Sequence, residues 1–479
     1  MSIERARLER TLNPGSVVVV GDKGPNFQWL SNLNEFSGPV YSVQVDEKEI
    51  ASIEQKGYRN FKSITEVPGE VDLVICAVPR QVTPIVVADA IKKGAGGISM
   101  FTSGFAETGE PQAAELQRRL VAMCHEAGMP LVGPNCMGVY NRRLGVKFSA
   151  MQEKGEGGDV GIVSQSGTHG IGMTLGAQRL GIRVTRTISI GNAAVLNECD
   201  YLEYLRDDPD CPVIVMYLEG ARDGRRFFNV LRETARRKPV VVWRGGRSRA
   251  GARAVRSHTG SLASDLAVWD GLIRQTGAIP AHSIDDAIDT MAALVFTSEP
   301  RGRGVALIAM TGGQSVAITD QFERAGFEVP ELSARSYKRL AEFFTTIGGS
   351  YRNPFDAAST IGRETDNLRK ILEILAEDSA IDGGAAIELG ARGFEQDPSR
   401  LNAQLDLLDR FRERTGLPLI AMMPVGGAMG DAEEAVVKAR AAVGARRFPI
   451  YPNFERGAAA LGRVATYHEF RKSVGARAD

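Results

Sequence analysis

Neither sign of charge is in excess: Lys+Arg and Asp+Glu both number 58 in 479 residues, a formal net charge of zero. This excludes the global basic surplus of a nucleic-acid-binding chain. Local basic runs, such as Arg236-Arg237-Lys238 and the stretch from Arg244 to Arg256, read as solvated faces. Cysteine is sparse: Cys76, Cys124, Cys136, Cys199 and Cys211 form no CxxC pair. Neither a cysteine-zinc site nor a redox dithiol is expected, and no metal-ligand set is read in this chain. Scattered thiols in apolar context suit a reducing compartment. No apolar run approaches the about 18 residues of a membrane-spanning helix. The opening MSIERARLER is charged and has no apolar signal-peptide core. The expectation is a soluble, cytoplasmic protein that engages neither membrane nor nucleic acid.

Apolar runs alternate with amphipathic stretches along the chain. Val17–Val20, Val71–Val78 and Gly97–Phe101 read as buried strands, and Thr83–Lys93 and Pro111–Ala127 as helices. In the second helix Ala113, Leu116, Leu120, Met123, Cys124 and Ala127 fall near a 3.6-residue period and mark one buried face. Continuous apolar strands separated by helices indicate a parallel sheet covered on both faces. The pattern restarts after the charged, Gly-rich break at 154–158, with strands near Val160–Val163, Val184–Ile190, Val213–Leu218 and Val240–Trp243. It restarts again after Pro300, Gly302 and Gly304, with Val305–Met310, Ala385–Leu389 and Leu417–Met423. Three α/β domains are expected, over 1–153, 154–300 and 301–479. No short tandem repeat is present, and a topology shared by the second and third domains is not visible in the residues.

Four segments carry candidate chemistry. Arg256-Ser257-His258-Thr259-Gly260-Ser261 follows a strand and a Gly-, Arg- and Ser-rich loop. Imidazole titrates near neutrality and attacks phosphorus while a carboxylate holds its other nitrogen; taken alone, SHTG also suits an ordinary surface loop. Glu219, in Tyr217-Leu218-Glu219-Gly220, stands at the C-terminal end of an apolar strand, the edge where open α/β sheets gather ligands. It could orient His258 and stabilise the imidazolium, or be an exposed loop acid. Ser164-Gln165-Ser166-Gly167-Thr168 is a small-residue turn from strand into helix. Its N–H groups suit an anion, and the serines equally suit plain N-capping. Gly133-Pro134-Asn135-Cys136-Met137-Gly138 punctuates a tight turn. No histidine adjoins Cys136, so a structural or ligand-lining thiol is expected rather than a nucleophile.

Together and in this order, these segments resemble the nucleoside-diphosphate-forming acyl-CoA synthetases, the superfamily that includes succinyl-CoA synthetase. VDLVICAVP, TSGFAETGE and GPNCMG resemble its CoA-binding domain. VGIVSQSG, ISIGNA, MYLEGARDG and SHTGSLA resemble its second domain. GRGVALIAMTGG, NPFD and YPNFERGAAAL resemble the further domain of the ADP-forming acetyl-CoA synthetases. The resemblance implies a Rossmann-like CoA-binding domain followed by two flavodoxin-like, succinyl-CoA synthetase-like parallel-sheet domains. It also implies roles. His258 matches the phosphorylated histidine and Glu219 the acid that holds it. Ser164, Gln165, Ser166 and Gly167 match the helix start that receives the phosphoryl group. Gly21, Lys23, Val78, Pro79, Ser103, Gly104, Asn135 and Cys136 fall in segments that line CoA. The implied reaction runs reversibly from acyl phosphate through phosphohistidine to a nucleoside diphosphate.

Two stretches depart from the family pattern. Gly21-Asp22-Lys23-Gly24-Pro25-Asn26 lacks the usual spacing of small residues in the turn that receives CoA's phosphates, and Gln44-Val45-Asp46 stands where an Asn-Pro-Lys-like segment is usual. No segment resembles an ATP-grasp module. ATP or ADP and Mg²⁺ are therefore expected to enter through a separate ATP-grasp β subunit, in a hetero-oligomer acting on CoA and a small carboxylic acid. Competing readings are a non-catalytic CoA-binding protein and a nucleotide-independent acyl-CoA transferase. A dinucleotide-dependent dehydrogenase is disfavoured by the missing GxGxxG turn.

Overall fold

The computed structural model describes residues 3–251, 253, 255, 266–361, 365–391, 397–424 and 430–475. Among them the strands form three sheets of six, six and five members. The chain divides into two compact units, Met1–Gln178 with Arg183–Ile284, and Arg179–Ile182 with Asp285–Asp479. The first unit holds the first two sheets and the second unit the third. No helix of the described residues is long and apolar enough to cross a membrane.

The first sheet comprises β1 Val17–Val20, β2 Val40–Val43, β3 Arg59–Phe61, β4 Leu73–Cys76, β5 Gly97–Met100 and β6 Leu131–Val132. All pairings are parallel, in the order β3-β2-β1-β4-β5-β6. The β1 run of four valines and the Leu-Val-Ile-Cys of β4 are buried throughout, as strands covered by helices on both faces must be. Each such side chain contributes roughly 1.5–3 kcal/mol on burial. β1 is flanked by β2 and β4, so the strand order reverses there and leaves a crevice at the C-terminal edge.

The second sheet comprises β7 Gly138–Asn141, β8 Val160–Ser164, β9 Val184–Ser189, β10 Val213–Leu218, β11 Val240–Arg244 and β12 Ile279–Ala281. Its order is β12-β11-β10-β8-β9-β7. β7 pairs antiparallel with β9, so residues before the expected boundary at 153 are hydrogen-bonded into the second sheet. The core beneath β8 and β10 also takes in Leu8 and Leu12 of the helix Arg5–Leu12.

The third sheet comprises β13 Val305–Ala309, β14 Phe355–Asp356, β15 Gly384–Glu388, β16 Leu419–Met422 and β17 Ile450–Tyr451, all parallel, in the order β14-β13-β15-β16-β17. Without the antiparallel β7, the second and third sheets share one order, 2-1-3-4-5, that of flavodoxin-like folds. This is the common topology that the residues alone did not reveal.

Candidate functional site

At the second sheet's reversal point, β8 lies between β9 and β10. β8 ends in Ser164, and the helix Gly167–Arg179 starts three residues on. The first four N–H groups of an α-helix lack intrahelical partners. The Ser166 hydroxyl accepts from one of them, the His169 N–H, at 3.3 Å. Ser164 is buried, and its hydroxyl closes the turn by donating to the Ser166 carbonyl at 2.6 Å. Gly167 is required sterically, since a Cβ there would come within 2.5 Å of Met137 Cγ. The turn therefore presents a positive helix end at the crevice.

Glu219 follows β10 across the crevice and is 4% exposed. Its backbone N–H donates to Gln165 Oε1. Gly220 N–H donates to the same oxygen at 3.3 Å, and Gln165 Nε2 returns a bond to the Gly220 carbonyl at 3.3 Å. The Gln165 side chain thus ties the helix-start turn to the Glu219 backbone. Tyr217 Oη donates to Glu219 Oε1 at 3.2 Å. Burial, then the neighbouring Glu219 carboxylate, raises the Tyr217 phenol's pKa, so it remains a donor. His258 lies outside the described residues.

The turn carrying Asn135 and Cys136 links this edge to the first sheet. Asn135 has φ +58° and donates its backbone N–H to the Thr102 carbonyl at 2.9 Å. Gly191, with φ +48°, packs so closely that a Cβ would lie 2.2 Å from the Asn135 carbonyl oxygen. Asn192 accepts from Asn135 Nδ2 at 3.4 Å and donates to Glu107 Oε2 at 2.6 Å and Gln117 Oε1 at 2.9 Å. Arg222 donates to the Asn192 carbonyl, and the Arg222 N–H is held by Glu198 Oε1 at 2.8 Å. This network borders a cavity of about 700 Å³ whose lining includes Gln117, Asn197 and Arg222 but neither Glu219 nor the 164–167 turn. Asn192, Glu107 and Arg222 lie inside ISIGNA, TSGFAETGE and MYLEGARDG, yet sequence reasoning assigned them no role. Those motifs were the available signal.

At the first sheet's reversal point, Gly21 (φ +80°) meets the segment after β4: a Cβ there would lie 2.5 Å from Val78 Cγ1. The Val78 carbonyl accepts from Thr102 Oγ1 at 2.7 Å, and the Gly104 carbonyl from Arg80 Nη1 at 2.6 Å. Lys23, Pro79 and Ser103 are exposed along the same strand ends. The altered first turn is closed from within. Asp22 is buried and accepts from Leu30 N at 2.8 Å and Lys23 N at 3.1 Å. Burial raises its pKa. Gln44 of the second departing segment donates to the Asp22 carbonyl at 3.0 Å.

Cys136 is buried, with Sγ directed at the Met100 and Val132 carbonyls at 3.4 and 3.5 Å. Burial pushes its thiol pKa up to about 12. At pH 8 about one molecule in ten thousand carries the reactive thiolate. All five cysteines are buried, so a disulfide reagent at pH 8 should titrate essentially none in the native chain and all five in denaturant. Rapid native labelling of Cys136 would remove the structural reading of this thiol.

The third sheet repeats the pattern of a helix start beside acids. The Thr311 side chain accepts from Gln314 N at 3.3 Å to cap the helix Gly312–Arg324. Asp356 closes β14, a Cβ on Gly312 would lie 3.0 Å from Asp356 Oδ2, and Glu388 Oε2 accepts from Met310 N at 3.1 Å.

Residues 16–142 match a CoA binding domain, and residues 157–294 a succinyl-CoA ligase like flavodoxin domain. The alpha subunit of acetate–CoA ligase [ADP-forming] II from Pyrococcus furiosus is 34% identical over 373 residues, covering 76% of this chain and 79% of the relative. Acetate–CoA ligase [ADP-forming] I from Archaeoglobus fulgidus is 33% identical over 78% of this chain, which spans 54% of that longer relative. The structure of the dinucleotide-forming acetyl-coenzyme A synthetase 1 of Ca. Korarchaeum cryptofilum, in complex with phosphate and ADP, superposes with a TM-score of 0.83 at 28% identity, covering 98% of both chains. With its two matched domains, its crevice geometry and these relatives, the chain belongs to the ADP-forming acid–CoA ligases of the succinyl-CoA ligase-like type.

Proposed function

We propose that this chain is the CoA-binding, phosphohistidine-carrying α subunit of an ADP-forming acid–CoA ligase. It would interconvert a small carboxylic acid, CoA and ATP with acyl-CoA, ADP and phosphate. The carrying observation is the pairing across one crevice of a helix start, at Ser166 and Gly167, with the buried carboxylate of Glu219. One receives an anionic phosphoryl group; the other suits the N–H of an imidazole.

In the direction of acyl-CoA cleavage, a phosphate oxygen attacks the thioester carbonyl, the C–S bond breaks and CoA leaves as the thiol. One nitrogen of His258 then attacks phosphorus, the P–O bond to the acyl group breaks and the carboxylate departs. Glu219 stabilises the positive imidazole formed in that step. A nucleoside diphosphate finally takes the phosphoryl group from nitrogen. The covalent carrier divides one transfer between two sites, and movement of the His258 segment would connect them. CoA would lie along Gly21, Lys23, Val78, Pro79, Ser103, Gly104, Asn135 and Cys136. The closing of the first turn by Asp22 supports a weaker hold on the nucleotide half of CoA. An ATP-grasp β subunit would bring the nucleotide with its Mg²⁺, in a cytoplasmic hetero-oligomer. The domains would be divided near 153 and 300.

The test is the co-substrate requirement of acyl-CoA cleavage by the chain with its nucleotide-binding subunit. Cleavage that needs both phosphate and ADP, with ATP formed in equal amount, is expected. Cleavage without phosphate would favour the transferase reading, and none in any mixture the non-catalytic CoA binder.

A further inference from the structure

Segments 103–104 and 135–136, which leave the first sheet after β5 and β6, are joined through one side chain. Glu107 lies on the single 3₁₀ turn Ala106–Thr108. Its Oε1 accepts from Gly104 N at 2.6 Å and Phe105 N at 3.1 Å. A glutamate that reaches back to N–H groups before its own turn is an ordinary local cap, and a cap needs nothing more. Here the second oxygen also leaves the turn. Oε2 shares the Phe105 N–H at 3.1 Å and accepts from Asn192 Nδ2 at 2.6 Å, a partner 85 residues along the chain. Asn192 is 2% exposed, and both ends of its amide and of its backbone are engaged. Its N–H donates to the Pro134 carbonyl at 3.0 Å, and its carbonyl accepts from Arg222. Nδ2 donates to Gln117 Oε1 at 2.9 Å as well as to Glu107, and Oδ1 accepts from Asn135 Nδ2 at 3.4 Å. Gly104 is held at its carbonyl too, by Arg80 Nη1 at 2.6 Å. Ser103 stays exposed beside it.

We infer that Glu107 is a positioning residue for the pantetheine end of CoA: by bonding the backbone at 104–105 and the Asn192 amide at once, it sets the spacing of the 103–104 and 135–136 segments. The inference rests on the CoA placement proposed above and adds what fixes it. In that placement the nucleotide half of CoA lies toward the first turn, so the thiol half falls to these two segments. They leave the sheet on separate strands, and loops of this kind are mobile unless something ties them. Segments held at one spacing before the ligand arrives lose less freedom when it binds. The polarity of the bridge is fixed as well. Asn192 turns its NH₂ to Glu107 because its oxygen is taken by Asn135, and that NH₂ meets acceptors on both Glu107 and Gln117. An amide at 107 that keeps its oxygen on Gly104 N would set its own NH₂ against that of Asn192.

The experiment is calorimetric binding to the full chain of CoA and of adenosine 3′,5′-bisphosphate, which carries the nucleotide part of CoA and no pantetheine. The chains compared are wild type, Glu107→Gln, Asn192→Asp and the two changes together. Glu107→Gln keeps the side-chain volume and breaks the bridge. CoA affinity should fall roughly tenfold and bisphosphate affinity by less than about twofold. Asn192→Asp sets oxygen against oxygen and should give the same split. The paired variant reverses the bridge: the amide introduced at 107 donates to the carboxylate introduced at 192, and Gln117 turns its amide to donate as well. CoA affinity should then return to within about threefold of wild type, a coupling that two independent losses would not show. Bisphosphate binding also reports that each variant is folded. A wild type that prefers CoA over the bisphosphate, with Glu107→Gln unchanged or weakened equally toward both, overturns this inference alone, and so does a paired variant no better than its single parents. A wild type that binds both ligands equally overturns the placement of pantetheine on these segments, and this inference with it.

Discussion

Incubated with [γ-³²P]ATP and its nucleotide-binding subunit, the wild-type chain should take up close to one equivalent of label that is lost in acid and kept in alkali, and His258→Ala should take up none. The acid lability is that of a phosphorus–nitrogen bond, which protonation at nitrogen cleaves, whereas acyl phosphates and phosphoserine behave differently. Overall acyl-CoA synthesis by the variant should fall by at least about 10³-fold, or roughly 4 kcal/mol of transition-state stabilisation. The loss should be this large because the imidazole is the covalent carrier, and no neighbour can replace a carrier that must meet two sites. Of the other imidazoles at the described edge of this sheet, His169 is committed to a ring cluster with Tyr217 and Trp243, and His282 follows the edge strand β12. CoA binding should be unchanged, since the residues assigned to it lie on the first sheet's strand ends and the 133–138 turn. Label that survives His258→Ala would move the carrier to another residue, and residue-level mapping of the labelled peptide would identify it.

The parts of this architecture legible in the sequence are those with continuous local signals. Val17–Val20 is a strand with the expected limits, and Val160–Ser164, Val213–Leu218 and Val240–Arg244 match their apolar runs to within a residue. Strands buried on both faces need unbroken β-branched runs, and such runs are visible without partners. Phe355–Asp356 and Ile450–Tyr451 are two residues each. They are strands only because β13 and β16 lie beside them, a non-local fact that no window of sequence contains. Gly138–Asn141 poses a different difficulty: its residues suit an edge strand, but its membership of the second sheet follows from its pairing with Val184–Ser189. The site divides in the same way. Glu219 is readable as an acid at a strand end before a glycine, and Gly167 as a residue at a close approach. Gln165 reads as one more donor for an anion. Its actual bonds, to the backbone of Glu219 and Gly220, exist because β8 and β10 are neighbours across 54 residues of chain. The Asn135–Asn192–Glu107 contacts are likewise long-range, and each motif shows only its own half.

Glu219→Gln should leave the fold and CoA affinity intact and slow phosphorylation of His258 by roughly 10²–10⁴-fold, since neutralising the acid behind a catalytic histidine costs up to about 10⁴-fold. The amide is nearly isosteric with the carboxylate, so the buried site at the end of β10 keeps its volume, the Tyr217 hydroxyl keeps an oxygen to donate to, and the Glu219 backbone keeps its bond to Gln165. The negative charge alone is removed. When one imidazole nitrogen attacks phosphorus, the ring becomes cationic, and in the proposed arrangement its other N–H is held by the acid at position 219. A carboxylate in this dry setting stabilises that cation strongly, because the low local dielectric leaves the attraction unscreened. An amide offers a dipole in place of a charge, and if it turns its NH₂ toward the ring it favours the wrong tautomer. Thermal stability should hold or rise slightly, since a neutral group replaces a buried charge. The loss should therefore appear in the rate of label uptake at saturating ATP, with binding constants and Tm near wild type. Glu219→Asp, which keeps the charge but withdraws it by one methylene, should recover part of the rate. If Glu219→Gln labels as fast as wild type while Glu219→Asp is slow, the side chain at 219 acts through its length and packing, and the charge is not what supports the histidine.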